Sequence, residues 1–335
     1  MQHPPSAISI PSIAAVIIVT AALLTWPAVI LNQAPLIFSD TADFLVMGLG
    51  PERSMRSRGY AWLAGGAALL TGSLWPVVAA QAILVAALAH ATLLVTLPNL
   101  GLRGHCCAGL GLAALTTAPW TASYIMADAL TAPGLLGMFL VLALPSRCGI
   151  AIALAAGVVA LAAASHVTHP LAGIAVLGTL GLWRLSHGVA APVRVGRLAL
   201  AGAAVMLGVA AAVGANLAIT GHAEYTRGGG IFFGARLAGD GLLQRHLRDV
   251  CPDVHLPRLC SAPDRIAQDV NAFLWAGDTP FREDGDFFGI EGELARVNPA
   301  TLRQYWPIWV TRSLGRTVHQ FVMLGAGDGL DQELA

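Results

Sequence analysis

The chain has 335 residues, 56% of them hydrophobic and 11% charged. An ordinary soluble domain is about 25% charged, so this balance, with a mean hydropathy of +0.68, argues against a water-soluble domain and for a helical protein whose partner is a lipid bilayer. Net charge is zero, which leaves no electrostatic case for a nucleic-acid partner.

No Lys or Arg precedes the first apolar run, at about 12–31. It therefore lacks the charged start of a cleavable signal peptide and reads as a retained spanning helix. A polar loop, 33–74, follows and holds Asp40, Asp43 and Glu52 with Arg53, Arg56 and Arg58; inside it the short apolar stretch 60–71 suits a helix lying at the interface or an early start to the second span. Further spans are expected at about 75–97, 106–120, 127–145, 149–164, 171–183 and 198–219, dense in Gly and Ala as close helix packing in lipid requires. The predicted class is all-α: a polytopic bundle of about seven transmembrane helices over 1–219, then a small, mainly helical extracytoplasmic domain over 220–335. Within that domain the segment 308–324, interrupted by Arg312, Arg316 and His319, suits an amphipathic helix returning to the membrane surface, and the chain then reads Gly327-Asp328-Gly329-Leu330-Asp331.

The basic loops set the expected orientation. Arg103, Arg147, Arg184, Arg194 and Arg197 fall on the side of the N-terminus, and the turns near 122 and 167 carry no Arg. The N-terminus is thus predicted to be cytoplasmic, and 220–335 periplasmic, in a bacterial inner membrane. In that oxidising compartment the close pair Cys251 and Cys260 reads as a disulfide, worth about 2–3 kcal/mol on a chain-entropy argument. Zinc held by the same cysteines with His246 or His255 is the alternative, without any standard zinc spacing.

Only four acidic residues occur in the first 219 positions: Asp40, Asp43, Glu52 and Asp128. Charge is costly in a bilayer, so carboxylates collected on one face of a hydrophobic bundle mark a candidate site. Asp40 suits a general base or a cation ligand, against the plainer reading that Ser39, Asp40 and Thr41 cap a helix. For Asp43 capping or solvation is the plainer account. Asp128 opens an apolar helix, where a carboxylate also suits the helix dipole, yet it is the one acid between Glu52 and Glu224. His166 and His169 have the spacing to share a face and meet a phosphate or a metal. Arg56, Arg58 and Arg227, the last beside Gly228-Gly229-Gly230, have forks that match an anionic head group. No nucleotide-binding loop, HExxH or GxSxG occurs.

The segment Phe38-Ser39-Asp40-Thr41-Ala42-Asp43-Phe44 resembles the acidic motif that follows the first helix in the GT-C class of polytopic glycosyltransferases. Arg58-Gly59-Tyr60 is similar to their Gly-Tyr-Pro turn, with Ala61 in place of Pro, and Tyr124 to Thr131 resembles the segment that brings in a second acid. The resemblance covers about 10–220. It implies an inverting transfer of sugar from a polyprenyl-phosphate donor to an acceptor on the periplasmic face. Asp40 would be the catalytic base or cation-binding acid, Asp128 its partner, and Arg58, Tyr60 and His166 contacts to the lipid phosphate; a divalent cation is the cofactor it allows. Two other classes stay open: a non-catalytic membrane scaffold or accessory protein, and a transporter of a lipid-linked anion, for which the in-span His90 is the cue.

Overall fold

A computed structural model describes residues 9–47, 50, 55–187, 194–261, 263–276 and 287–322, without the side chains of 46 and 47. Glu52 and the 327–331 segment lie outside the described residues. These form helices and no strands, as the composition predicts, and divide into two units, Met1–Arg227 and Gly228–Ala335.

In the first unit α1 (Ile10–Leu24) starts where the Ser9 side chain accepts from the Ser12 N–H, and ends before Trp26-Pro27. Pro27 has no N–H to donate, and the chain widens into a π-turn, Pro27–Asn32, that ends at Gln33 with φ 55°. A short helix, α2 (Ser39–Ala42), leads into a second π-turn, Asp43–Met47. Then come α3 (Arg58–Thr71), α4 (Trp75–Thr96), α5 (Leu102–Leu115) and α6 (Ala118–Ser123). A 3-10 turn, Ala127–Leu130, runs into α7 (Thr131–Ala143), and α8 (Gly149–Ser165), α9 (Thr168–His187) and α10 (Val195–Thr220) complete the unit.

Each predicted span coincides with a helix, but the count of seven spans is not reproduced. Among the described residues two helices, α4 and α10, are long and apolar enough to cross a membrane. The reason is length: α7 and α8 have 13 and 17 residues, about 20 and 26 Å at the α-helical rise, against a hydrocarbon core of about 30 Å. α1 is cut short at Pro27, and α9 has the length but places Arg184, Ser186 and His187 in its last turns.

α8 is the centre of the unit, packed against α3, α7 and α10. Its Ala-rich surface is met by glycines: a Cβ on Gly208 would overlap the Ala160 carbonyl, and one on Gly137 would lie 3.0 Å from the Ala155 oxygen. Because backbone rather than a side-chain tip stands in the way, Gly208→Ala is expected to cost about 1–3 kcal/mol by prising α10 from α8, measurable as a lower unfolding midpoint.

The last turn of α8 is closed by side chains from elsewhere in the unit. Its carbonyls at Ala162, Ala163 and Ala164 accept from His169 Nδ1 (2.8 Å), the Tyr225 hydroxyl (2.7 Å) and the Ser57 hydroxyl. Helix-end carbonyls lack intrahelical partners, and here their satisfaction fixes α3, α9 and the chain after α10 at one end of the bundle.

The second unit packs α11 (Gly229–Gly239), α12 (Leu242–Val250), α13 (Val270–Trp275) and α14 (Glu291–Val322) around a core that includes Leu243, Leu247, Leu259, Phe273 and Leu294. Cys251 and Cys260 are bonded as predicted, with Cα atoms 5.4 Å apart, while Cys106, Cys107 and Cys148 are free. The bridge closes a turn whose backbone also caps a buried acid: Glu293 accepts from the N–H groups of Arg258 (3.0 Å) and Leu259 (2.8 Å). Reduction of this disulfide is expected to destabilise the second unit by about 2–3 kcal/mol, read as a loss of its protection from proteolysis.

α14 kinks at Tyr305 (φ −119°), two residues before Pro307, whose ring cannot sit against the carbonyl four residues back. Beyond the kink Leu314, Val318 and Phe321 are exposed, while Arg312 and Arg316 hold the carbonyl and carboxylate of Asp240. Of the predicted segment 308–324, the described part, 308–322, is therefore the amphipathic end of one long helix.

Candidate functional site

The polar loop after α1 is tied to the segment that carries Asp128. Leu36 pairs with Tyr124 in a short parallel bridge, its N–H donating to the Ser123 carbonyl (3.0 Å) and its carbonyl accepting from Ile125 N–H (2.9 Å). The Thr41 hydroxyl donates to the Ile125 carbonyl (2.9 Å) and accepts from Phe38 N–H (2.8 Å). The side chain that caps the start of α2 is thus Thr41, while Asp40 and Asp43 serve its end through their backbone, the Asp43 N–H donating to the Asp40 carbonyl.

A second brace reaches the same segment from below. Gln81 in α4 donates to the carbonyls of Ala122 and Tyr124 (2.9 Å each) and accepts from the Tyr60 hydroxyl (2.5 Å). Tyr60 is fully buried and packs edge-on against Phe44, with ring centroids 5.0 Å apart. Its place is thus to hold the Asp128 turn, within the charge field of that acid, with its hydroxyl turned away from solvent.

Above these braces the carboxylates gather. The Arg56 guanidinium donates to Asp40 Oδ1 at 2.5 Å and lies 3.7 Å from Asp43 Oδ2. Asp40 is only 24% exposed at its side chain. Burial pushes its carboxyl above the usual carboxylate range. Arg56 opposes this; the charges of Asp43 and Asp128 reinforce it, and His166 opposes it. Asp40, Asp43, Asp128, His166 and Arg56 therefore share one electrostatic neighbourhood.

Asp128 is exposed, in the 3-10 turn before α7. His166 is half-buried where α8 ends, and His169 is buried in the first turn of α9, the two rings 5.5 Å apart. One ligand atom from each of Asp128, His166 and His169 lies within 4.8 Å of the other two. Among the described residues this is the group with the composition and spacing to hold a metal.

The arginines separate. Arg58 has no exposed surface; its Nε donates to Asn216 Oδ1 (2.7 Å) and its Nη1 to the Gly50 carbonyl (2.8 Å). It ties the start of α3 to the end of α10, where Asn216 in turn donates to the Glu224 and Tyr225 carbonyls (2.8 Å each). A guanidinium closed in this way presents no open face to a phosphate. Arg56 occupies the position by the carboxylates that the family resemblance gives to Arg58. Arg227 lies half-buried at the C-terminal edge of the first unit.

Two groups escape sequence reasoning. Thr131, whose hydroxyl lies 2.8 Å from His169 Nε2, is an ordinary residue in an apolar run. His105 meets the in-span His90, Nδ1 to Nδ1 at 3.1 Å, and His90 Nε2 lies 3.0 Å from the Thr20 hydroxyl. A contact between neighbouring helices has no periodic signature that would announce it.

An apolar groove of about 290 Å³ lies beside the site, lined from Gly59 and Ala164 down to Ala160 and Leu207 between α3, α8 and α10. No protein-family model, curated protein or solved structure matches the chain.

Proposed function

We propose that the chain is an integral membrane transferase that moves a glycosyl group from a polyprenyl-phosphate donor to an acceptor hydroxyl at the periplasmic face. The observation that carries the reading is the gathering of Arg56, Asp43, Asp128 and His166 around the half-buried carboxylate of Asp40.

The membrane part rests on where polarity sits. Ile18, Ile83, Leu110, Leu154, Leu171 and Met206 point outward from the helices of the first unit, while Thr20, Gln81, His90, His105 and Asn216 are buried inside. Water would favour the reverse; lipid favours this arrangement. In a polytopic reading α1 continues through its π-turn, and the short helices α5, α7 and α8 are accommodated by a locally thinned bilayer.

In the proposed reaction the acceptor hydroxyl attacks the anomeric carbon, Asp40 takes its proton, and the bond from that carbon to the phosphate oxygen breaks. Charge developing on the departing lipid phosphate is met by Arg56. The apolar groove beside Gly59 and Ala164 accommodates the first isoprene units of the donor. Purified chain in lipid nanodiscs, given polyprenyl-phosphate hexoses and followed for free polyprenyl phosphate by mass spectrometry, tests this. Release above a protein-free control is expected; no release from any hexose donor removes the reading.

A second reading, passage of a lipid-linked anion, is favoured by the buried Thr20–His90–His105 chain within the helices. It predicts donor movement between leaflets without cleavage.

A further inference from the structure

His169 is buried, and its ring is held by two different contacts. The Ala162 carbonyl can only accept a hydrogen bond, so the 2.8 Å contact to His169 Nδ1 places the proton on that nitrogen. Nε2 then carries a lone pair, to which the Thr131 hydroxyl donates at 2.8 Å. A histidine whose far nitrogen is anchored on a backbone carbonyl, with its near nitrogen left basic, has the orientation characteristic of metal-ligating histidines.

His166 starts from the other tautomer: the Thr168 N–H donates to its Nδ1 at 3.4 Å, with the Thr168 hydroxyl 2.8 Å away, which leaves the proton on Nε2. Metal binding through Nε2 asks this neutral ring to move that proton to Nδ1, where the Thr168 hydroxyl can accept it. Asp128, exposed on the open side, supplies an anionic oxygen. We infer that Asp128, His166 and His169 form a binding site for a transition-metal dication of the zinc class, open on one side to a water or a substrate oxygen.

Three arguments set this apart from other uses of the cluster. The donors come from three separate elements, the 3-10 turn before α7, the end of α8 and the start of α9, so no single helix face explains their meeting. A phosphate alone is disfavoured because the Asp128 carboxylate stands among the same ligand atoms and would repel it. Two imidazoles with one carboxylate suit Zn²⁺ or Co²⁺, whereas Mg²⁺ and Ca²⁺ take oxygen ligands. Ligands about 2.0–2.2 Å from a tetrahedral metal lie about 3.4 Å apart. From within 4.8 Å this asks each pair to close by at most about 1.4 Å, to which the half-buried His166 ring and the exposed Asp128 can both contribute. A metal on Nε2 would take the place of the Thr131 hydroxyl at that nitrogen.

The inference does not depend on the transfer reaction, and its test reads binding alone. Full-length, tag-free chain in detergent is stripped with chelator and titrated with Co²⁺, then with Zn²⁺ in competition. One equivalent of Co²⁺ giving a visible band of tetrahedral type, displaced by Zn²⁺ and unmoved by about a 1,000-fold excess of Mg²⁺, is expected. Asp128→Asn and His166→Ala, both at positions with solvent access, are expected to weaken binding at least about 10-fold while keeping the unfolding midpoint of the metal-free protein. Absence of saturable Co²⁺ binding in the unaltered chain would overturn the inference, as would an affinity unchanged from that of the unaltered chain in both variants.

Discussion

Asp40→Asn is expected to abolish most transfer, lowering the rate by about 10²–10⁴-fold, the usual contribution of a positioned general base. The same variant is expected to leave the unfolding midpoint within about 2 °C of the original. The asymmetry follows from the surroundings of Asp40. Burial is the largest influence on its carboxyl and works against the charged form. An Asn of equal size removes that cost at the same time as it removes the ion pair with Arg56. Were Asp40 present only to hold Arg56, its loss would lower the midpoint and leave the rate of a folded enzyme intact. Kinetics and calorimetry on one preparation separate the two. Asp128→Asn is expected to act on the rate through the same site, by about 10-fold, since that acid is exposed and acts on the half-buried Asp40 through its charge alone.

Arg58→Ala is expected to destabilise the first unit by about 3 kcal/mol or more. Two hydrogen bonds from a charged donor are lost, each worth about 1.5–3 kcal/mol, and Asn216 Oδ1 and the Gly50 carbonyl lose their partner inside the fold. For a chain of this size the midpoint should fall by roughly 6–12 °C. Lys at this position keeps the charge but has no fork with which to reach Asn216 and Gly50 together, and should recover less than half of the loss. If Arg58 bound lipid phosphate instead, as the family resemblance implies, its replacement would raise KM for the donor and spare stability. Thermal unfolding alongside donor titration of the folded fraction distinguishes these outcomes.

The helical class and the positions of the helices are legible in the sequence because Ala, Leu, Val and Gly runs separated by Pro and Arg leave few other ways to satisfy the backbone. Helix length is less legible. Hydropathy runs on past Trp26, but Pro27 forces the chain out of α-helical geometry there, and composition does not register the change. The Cys251–Cys260 bond is readable from proximity alone. Rarity of charge identifies the candidate carboxylates, since Asp40 and Asp128 stand out in an apolar background. Their juxtaposition is not readable: it depends on the Leu36–Tyr124 bridge, a backbone contact that any pair of apolar residues could make, and on the Thr41 hydroxyl meeting the Ile125 carbonyl 84 residues along the chain. For the same reason spacing does not separate Arg56 from Arg58, and the family resemblance points to Arg58. Two residues along a loop entering a helix decide which guanidinium turns outward and which is enclosed, and only Asn216, distant in sequence, reveals that Arg58 is the enclosed one.

The pH dependence of single-turnover donor cleavage, in the original chain and in Asp40→Asn, tests the central claim most directly. A base must be ionised to take a proton, and the Asp40 carboxyl is raised above the ordinary aspartate value, near 3.9. The rate is therefore predicted to be full at neutral pH and to fall as pH drops through a transition above that value, with the transition and most of the rate missing in Asp40→Asn. A profile that is flat through the acid range, or one that Asp40→Asn reproduces at equal rate, would contradict the account.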